Sequence, residues 1–148
     1  MNAAMLSALF TRDLNKLKNE VEQYRDEANI WRLEPGIANT AGNLCLHLLG
    51  NLNAYIGAVL AKNGYVRQRD LEFSTKDVAQ AELLSRVTAA IQVVETGLNG
   101  VTAEQMNADF PIVIWDKPMS TAETLVRLLA HLNYHLGQIN YHRRLLDK

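Results

Sequence analysis

His131 and His135 stand four residues apart in the string HLNYH, inside a stretch whose apolar residues recur at helical spacing. On an α-helix that separation is about 6 Å along the axis and about 40° around it, so both imidazoles leave one face and can reach a single metal ion. His142, seven residues beyond His135, shares the face but lies about 10 Å further along, too far to join the pair at one ion. His47 is alone in LCLHLLG, on an earlier helical stretch. Helix bundles build metal sites from inward side chains on facing helices. One histidine from the earlier stretch and two from the later one give three nitrogen ligands and leave coordination positions open for water or substrate, as in a catalytic rather than a structural centre. Neutral imidazoles suit zinc, nickel, copper or iron. HLNYH is not the zincin motif, because Leu132 stands where that motif carries its glutamate. No carboxylate accompanies the histidines on the later helix, so the reactive species at such a centre is a metal-bound hydroxide or thiolate. The plainer alternative is three hydrogen-bonded histidines at core or boundary positions, but burying three imidazoles without a shared purpose is costly.

Other residues near these positions carry two readings each. Gln138, three after His135, lines the same cavity; it orients a ligand or meets substrate, or it merely caps a buried face. Tyr134 and Tyr141 have hydroxyls that can donate near the site, with core or interface contact the favoured role. Asn43 and Asn51 lie one turn either side of His47, where helix–helix hydrogen bonds are favoured over support of the ligand. Arg67 and Arg69 can hold the carboxylate of an anionic substrate, or pair with Asp70 and Glu72 on a solvated loop. Cys45 is two residues from His47, faces another side of the helix, and reads as a small core residue. Gly50 and Gly57, two turns apart on one face, suggest close backbone approach at a dimer contact.

The elements that must position these groups are helical. Leu6, Leu9, Phe10, Leu14, Leu17, Val21 and Tyr24 form the apolar stripe of a first helix over residues 3–24. After a loop with Trp31 and Pro35-Gly36, Asn39 or Thr40 caps a second helix that runs to about Lys62 and stops by Gly64. A charged loop, Arg67 to Glu72, leads to a third helix over 79–98. Thr102 and Gln105 have capping-box spacing for a short helical turn, and Ser120 with Glu123 opens a fourth long helix ending near Leu146. Segment 109–118 reads as irregular or briefly extended, and all three prolines fall in loops. Four amphipathic helices and almost no strand signal predict an all-α fold, a four-helix bundle over 1–148 as one domain. The long connections permit crossovers, so simple up-down-up-down order does not follow.

The chain's composition closes off several functions. Hydrophobic residues make up 48% of the 148 and charged residues 21%, enough for a core and too ordered for a disordered chain. Net charge is −1 with signs interspersed, which excludes the basic stripe of a nucleic-acid binder. Segment 41–61 is long enough to span a membrane, but Asn43, His47, Asn51 and Asn53 are costly in hydrocarbon, so it reads as a helix buried on most sides. A single cysteine and the lack of a leader peptide pattern point to the cytoplasm.

The strings NLCLHLLGNLNAYIG (43–57) and HLNYHLGQINYHRRLL (131–146) resemble the two signature helices of the DinB superfamily, which includes the YfiT-like metal-dependent enzymes. The spacing between them and the loop GYVRQRDLEF (64–73) are consistent with the likeness, which covers nearly the whole chain. The resemblance implies a four-helix bundle, usually a homodimer, with one divalent transition metal, zinc or nickel, on His47, His131 and His135. It implies thiol-dependent S-transferase or hydrolase chemistry on a small electrophilic molecule, with a low-molecular-weight thiol as cosubstrate. The alternative within the same likeness is a non-catalytic, metal-binding or stress-related dimer.

Overall fold

Thr40 begins the element on which the site depends. Its hydroxyl accepts from the Asn43 amide at 3.0 Å, capping α2, Ala41–Leu52. All twelve residues of α2 are buried, His47 and Asn51 among them. A helix apolar on every side belongs in the middle of a fold, and α2 is covered on all sides by the rest of this chain. The structure is a computed structural model and describes residues 1–148.

The chain is all-helical. α1, Ala3–Glu22, starts on Asn2, whose side chain accepts from the Met5 amide at 2.8 Å. A 3-10 turn, Glu27–Trp31, follows before α2. A wider π-type turn, Asn53–Ala58, extends α2, so the helix expected to run evenly to Lys62 changes its winding at Asn53. The charged stretch expected as a loop contains a short helix, α3, Arg69–Ser74. The third long helix is α4, Gln80–Leu98. Thr102 and Gln105 form both bonds of a capping box at the start of α5, Ala103–Asn107. Ser120 caps α6, Thr121–Leu146, by accepting from the Glu123 amide. Between α5 and α6 the backbone pairs briefly, Asp109 opposite Ser120, as expected for a short extended piece.

Paired side chains set the helix directions. Asp13 accepts from Asn133, and Glu20 accepts from Asn140 and Arg143, so α1 and α6 run parallel. Thr11 bonds Glu95 while Gln80 reaches the carbonyls of Val21 and Tyr24, so α1 and α4 run antiparallel. His47 meets His131, and Leu44 lies near Gln138 and His142, so α2 and α6 also run antiparallel. The order is up, down, down, up. α2 touches α4 and α6, and so does α1. A core of 27 buried residues, from Ala3 to Ile139, draws on all four.

Parallel neighbours require a crossover. Chain leaving the far end of α2 must travel back along that helix before α4 can begin beside its start. Residues 59–79 make that return, and α3 lies on it. The path brings the 64–75 segment past the middle of α2, at His47.

Candidate metal centre

α2 contributes His47 and α6 contributes His131 and His135, and the fold brings the three together. One ligand nitrogen from each lies within 4.8 Å of the others, so the cluster can hold a metal ion. Ring centroids are 4.6 to 5.3 Å apart, with all three pairs near edge-to-face. The closest approach is His47 Nε2 to His131 Nε2, 3.1 Å. Two nitrogens on one zinc ion at the tetrahedral angle stand about 3.3 Å apart, given bonds of about 2.0–2.1 Å. His47 is 7% exposed, while the other two are partly open to solvent. The cluster is therefore walled on the α2 side and reachable on the α6 side.

In two of the three rings a second bond sets the tautomer. His47 Nδ1 is 3.0 Å from Glu72 Oε1. A carboxylate only accepts, so Nδ1 carries the proton and Nε2 presents its lone pair to the cluster. His135 Nδ1 is 2.7 Å from Gln138 Oε1, which again leaves Nε2 as the free acceptor. This is the arrangement of metal-bound histidines, whose far nitrogen donates to a carboxylate or carbonyl. His131 differs: its Nδ1 is buried without a partner, and its Nε2 faces only His47. A buried polar atom left unmatched is costly. His131 is a ring with ligand capacity that the protein does not use.

Burial lowers the His131 pKa to about 4, and the neighbouring His135 and His47 add to the effect. Burial also lowers that of His47, opposed by the hydrogen bond and charge of Glu72. Both rings are thus held neutral, the form that binds metal.

Glu72 is the functional residue that sequence reasoning missed. The sequence pattern places it with Asp70 on a solvated loop; it is 6% exposed, in α3, against α2. Arg67 does pair with it, donating Nε–H to Oε2 and a terminal N–H to Oε1, both at 2.9 Å. The pair is not on a solvated surface: side-chain exposure is 17% for Arg67 and 7% for Glu72, and the guanidinium turns two of its nitrogens to Glu72. Burial works against the charge of Arg67, but the Glu72 bonds and charge outweigh it and raise its pKa. Gly50 makes room: a methyl group there would overlap the Glu72 carboxylate. The close approach expected at Gly50 is therefore inside one chain and not at a dimer contact. Gly57 likewise faces Asn63 and Val93 of its own chain.

Asn43 does not touch the histidines; it bonds helix to helix, as expected, but to the short α3. Its amide donates to the carbonyls of Glu72, at 3.0 Å, and Thr75, at 2.8 Å, and its Oδ1 accepts from Thr40 and Lys76. It latches α3 to α2. Asn51, one turn beyond His47, has a buried Oδ1 with no partner. Tyr134 lies edge-on to His135, centroids 5.1 Å apart, but is 65% exposed, and Tyr141 is 63% exposed; neither belongs to the core. His142 stands apart from the cluster, accepting from the Tyr24 hydroxyl at Nδ1 and donating at Nε2 to the Arg32 carbonyl. Cys45 is fully buried and burial pushes its thiol up to about 12, so it is a core residue and no nucleophile.

The fold and site together define an all-helical protein with a three-imidazole cluster able to hold a metal ion. Residues 4–148 match the family described as "Protein of unknown function (DUF1572)", and the chain belongs to that family. No curated protein matches the chain. No helix is long and apolar enough to cross a membrane.

Proposed function

We propose that this chain is a metal-dependent enzyme, a four-helix bundle of the DinB/YfiT-like type, in which His47, His131 and His135 hold one divalent transition metal, zinc or nickel. The observation that carries the reading is the backing of the cluster. Three rings converge from two helices, and two of them have the far nitrogen engaged by a carboxylate or an amide carbonyl. Core histidines need no such convergence.

A bound ion of this kind lowers the pKa of a coordinated water or low-molecular-weight thiol, so that a nucleophile exists at neutral pH. The chain's own residues do the rest. Glu72 fixes the His47 tautomer and offsets positive charge at the centre, Arg67 holds Glu72, and Gln138 holds His135. The half-open α6 side admits a small electrophilic substrate. The activity proposed is that of a thiol-dependent S-transferase or a hydrolase, with a homodimer as the proposed working form.

Elemental analysis tests the reading. Untagged protein purified without chelators is expected to carry close to one zinc or nickel per chain, and His131→Ala to carry none. His142→Ala should keep the full complement. Equal loss in both variants, or no uptake by wild type from excess zinc and nickel, would remove the metal and with it the enzyme. Metal-loaded protein that consumes no electrophile with any biological thiol or with water would instead favour a metal-binding dimer without catalysis.

A further inference from the structure

A cavity of about 510 Å³ lies beside the cluster, between the loop at 34–39 and the last turns of α6. Its walls are chiefly Pro35, Ile37, Leu44, Tyr141 and Leu145, with Gln138 at one end. That volume is in the range of about 300–1,000 Å³ typical of small-molecule sites, which are mostly apolar with a few placed polar groups. Its position follows from helix geometry. Leu44 is three residues before His47 on α2, and Gln138 is three after His135 on α6. Three helical residues advance about 4.5 Å, so the cavity begins one turn from the imidazoles.

Its carboxylate and imidazole groups are already engaged. The Glu34 carboxylate is 2.6 Å from Arg32. Both nitrogens of His142 are engaged, with Tyr24 and with the Arg32 carbonyl. Cys45 and the acidic groups of the cluster face elsewhere. No uncompensated charge lines the cavity, so it disfavours an ion and fits an uncharged group. Among the uncharged polar groups that line it, Gln138 is the one bonded to the histidine cluster. Its Oε1 is held by His135, while its Nε2 makes no bond to protein, leaving one amide donor for an acceptor atom of a bound molecule.

We propose that this cavity receives the uncharged, apolar portion of the substrate, with Gln138 joining it to the metal centre through His135. The substrate class is then a neutral electrophile bearing an aromatic or branched aliphatic group and a hydrogen-bond acceptor about one helical turn from its reactive atom. The cavity stands on its own geometry; only the word substrate rests on the metal reading above.

The test uses the full chain and the uncharged dye Nile red, whose fluorescence rises in apolar surroundings. Ile37 and Leu145 are 41% and 62% exposed at the cavity rim, so Ile37→Glu and Leu145→Glu leave the core intact. Val113→Glu, at an exposed position in the loop before α6, is the control. Wild type and the control are expected to bind the dye saturably at one site, and both rim variants at least tenfold more weakly. All four proteins should carry the same metal content. Absence of saturable binding to wild type, or equal binding by the rim variants, overturns the pocket. So does a dimer that Leu145→Glu converts to monomer as dye binding is lost, because the face would then be a contact between copies. Dye binding that behaves as expected in a protein that takes up no metal retains the pocket and removes the metal reading alone.

Discussion

At the scale of single residues, the centre depends on what stands behind each imidazole. Glu72 accepts from His47 Nδ1, and a Glu72→Gln variant keeps the volume while replacing the carboxylate by an amide. Groups of this kind typically contribute 10–100-fold to metal affinity. Glu72→Gln is therefore expected to weaken zinc binding by about that factor in a competition titration with a chromogenic chelator, with helix content unchanged. Gly50→Ala should do the same without altering any ligand, because its methyl group displaces the carboxylate. Two of the three clustered histidines were legible in the sequence as a set because a pair at i and i+4 fixes its own geometry. Glu72 was not, because a glutamate among Arg67, Arg69 and Asp70 has the pattern of a solvated loop. The one signal was Gly50, a turn from His47, which marks a close approach without naming what approaches. His142 carries a prediction of a different kind. Burial lowers its pKa, and the Arg32 carbonyl only partly restores it. Its folded value is below its unfolded one, so the unfolded chain takes up a proton first as pH falls. Stability from this group is complete above about pH 6.5 and is lost as pH falls towards the folded value, with a slope of at most about 1.4 kcal/mol per pH unit. Urea unfolding of metal-free protein between about pH 7 and about pH 5 should show a shallower pH dependence in His142→Gln than in wild type.

At the scale of elements, the crossover between α2 and α4 does more than connect them. Running back along α2, it lays α3 beside His47, and Asn43 fastens it there through the carbonyls of Glu72 and Thr75. Asn43→Ala strands those two acceptors, for a loss of about 1–3 kcal/mol. Hydrogen exchange over residues 69–75 is expected to quicken in that variant while exchange in the middle of α1 and α4 stays unchanged. Metal affinity should fall with it, since Glu72 rides on the same segment. The long helices were readable from their apolar period, and three starts were readable from Thr40, Thr102 and Ser120, whose side chains do cap. α3 was not, because six residues with apolar Leu71 and Phe73 alone carry too little period. The widened turn at Asn53–Ala58 was also invisible, since apolar residues continue through it and one extra residue per turn leaves the pattern nearly unchanged.

At the scale of the molecule, the cluster ties α2 to α6 across a sequence separation of 84 residues. A ligand that binds only the folded chain stabilises it by about 2.7 kcal/mol at a hundredfold excess over its dissociation constant. For a chain of this size each kcal/mol moves the melting temperature by about 2–4 °C. Saturating zinc or nickel is thus expected to raise the melting temperature by about 5–10 °C in wild type, and not at all in His131→Ala, by scanning fluorimetry. The up-down-down-up order could not be read in advance, because periodicity reports which face of a helix is buried and says nothing of its direction. The polar ladder from Asp13–Asn133 to Glu20–Asn140 supplies that information only once the helices are side by side.

The same separation has a consequence for how the protein is made. Synthesis at about 5–20 residues per second puts about 4–17 seconds between the addition of His47 and that of His131. By the end of that interval the ribosome carries a chain with Arg67 and Glu72 already translated and one histidine of the cluster's three. Under the proposed metal reading, capture of an ion by all three histidines would wait on the last helix, and the metal bound would be decided by what is available after His135 is added rather than before.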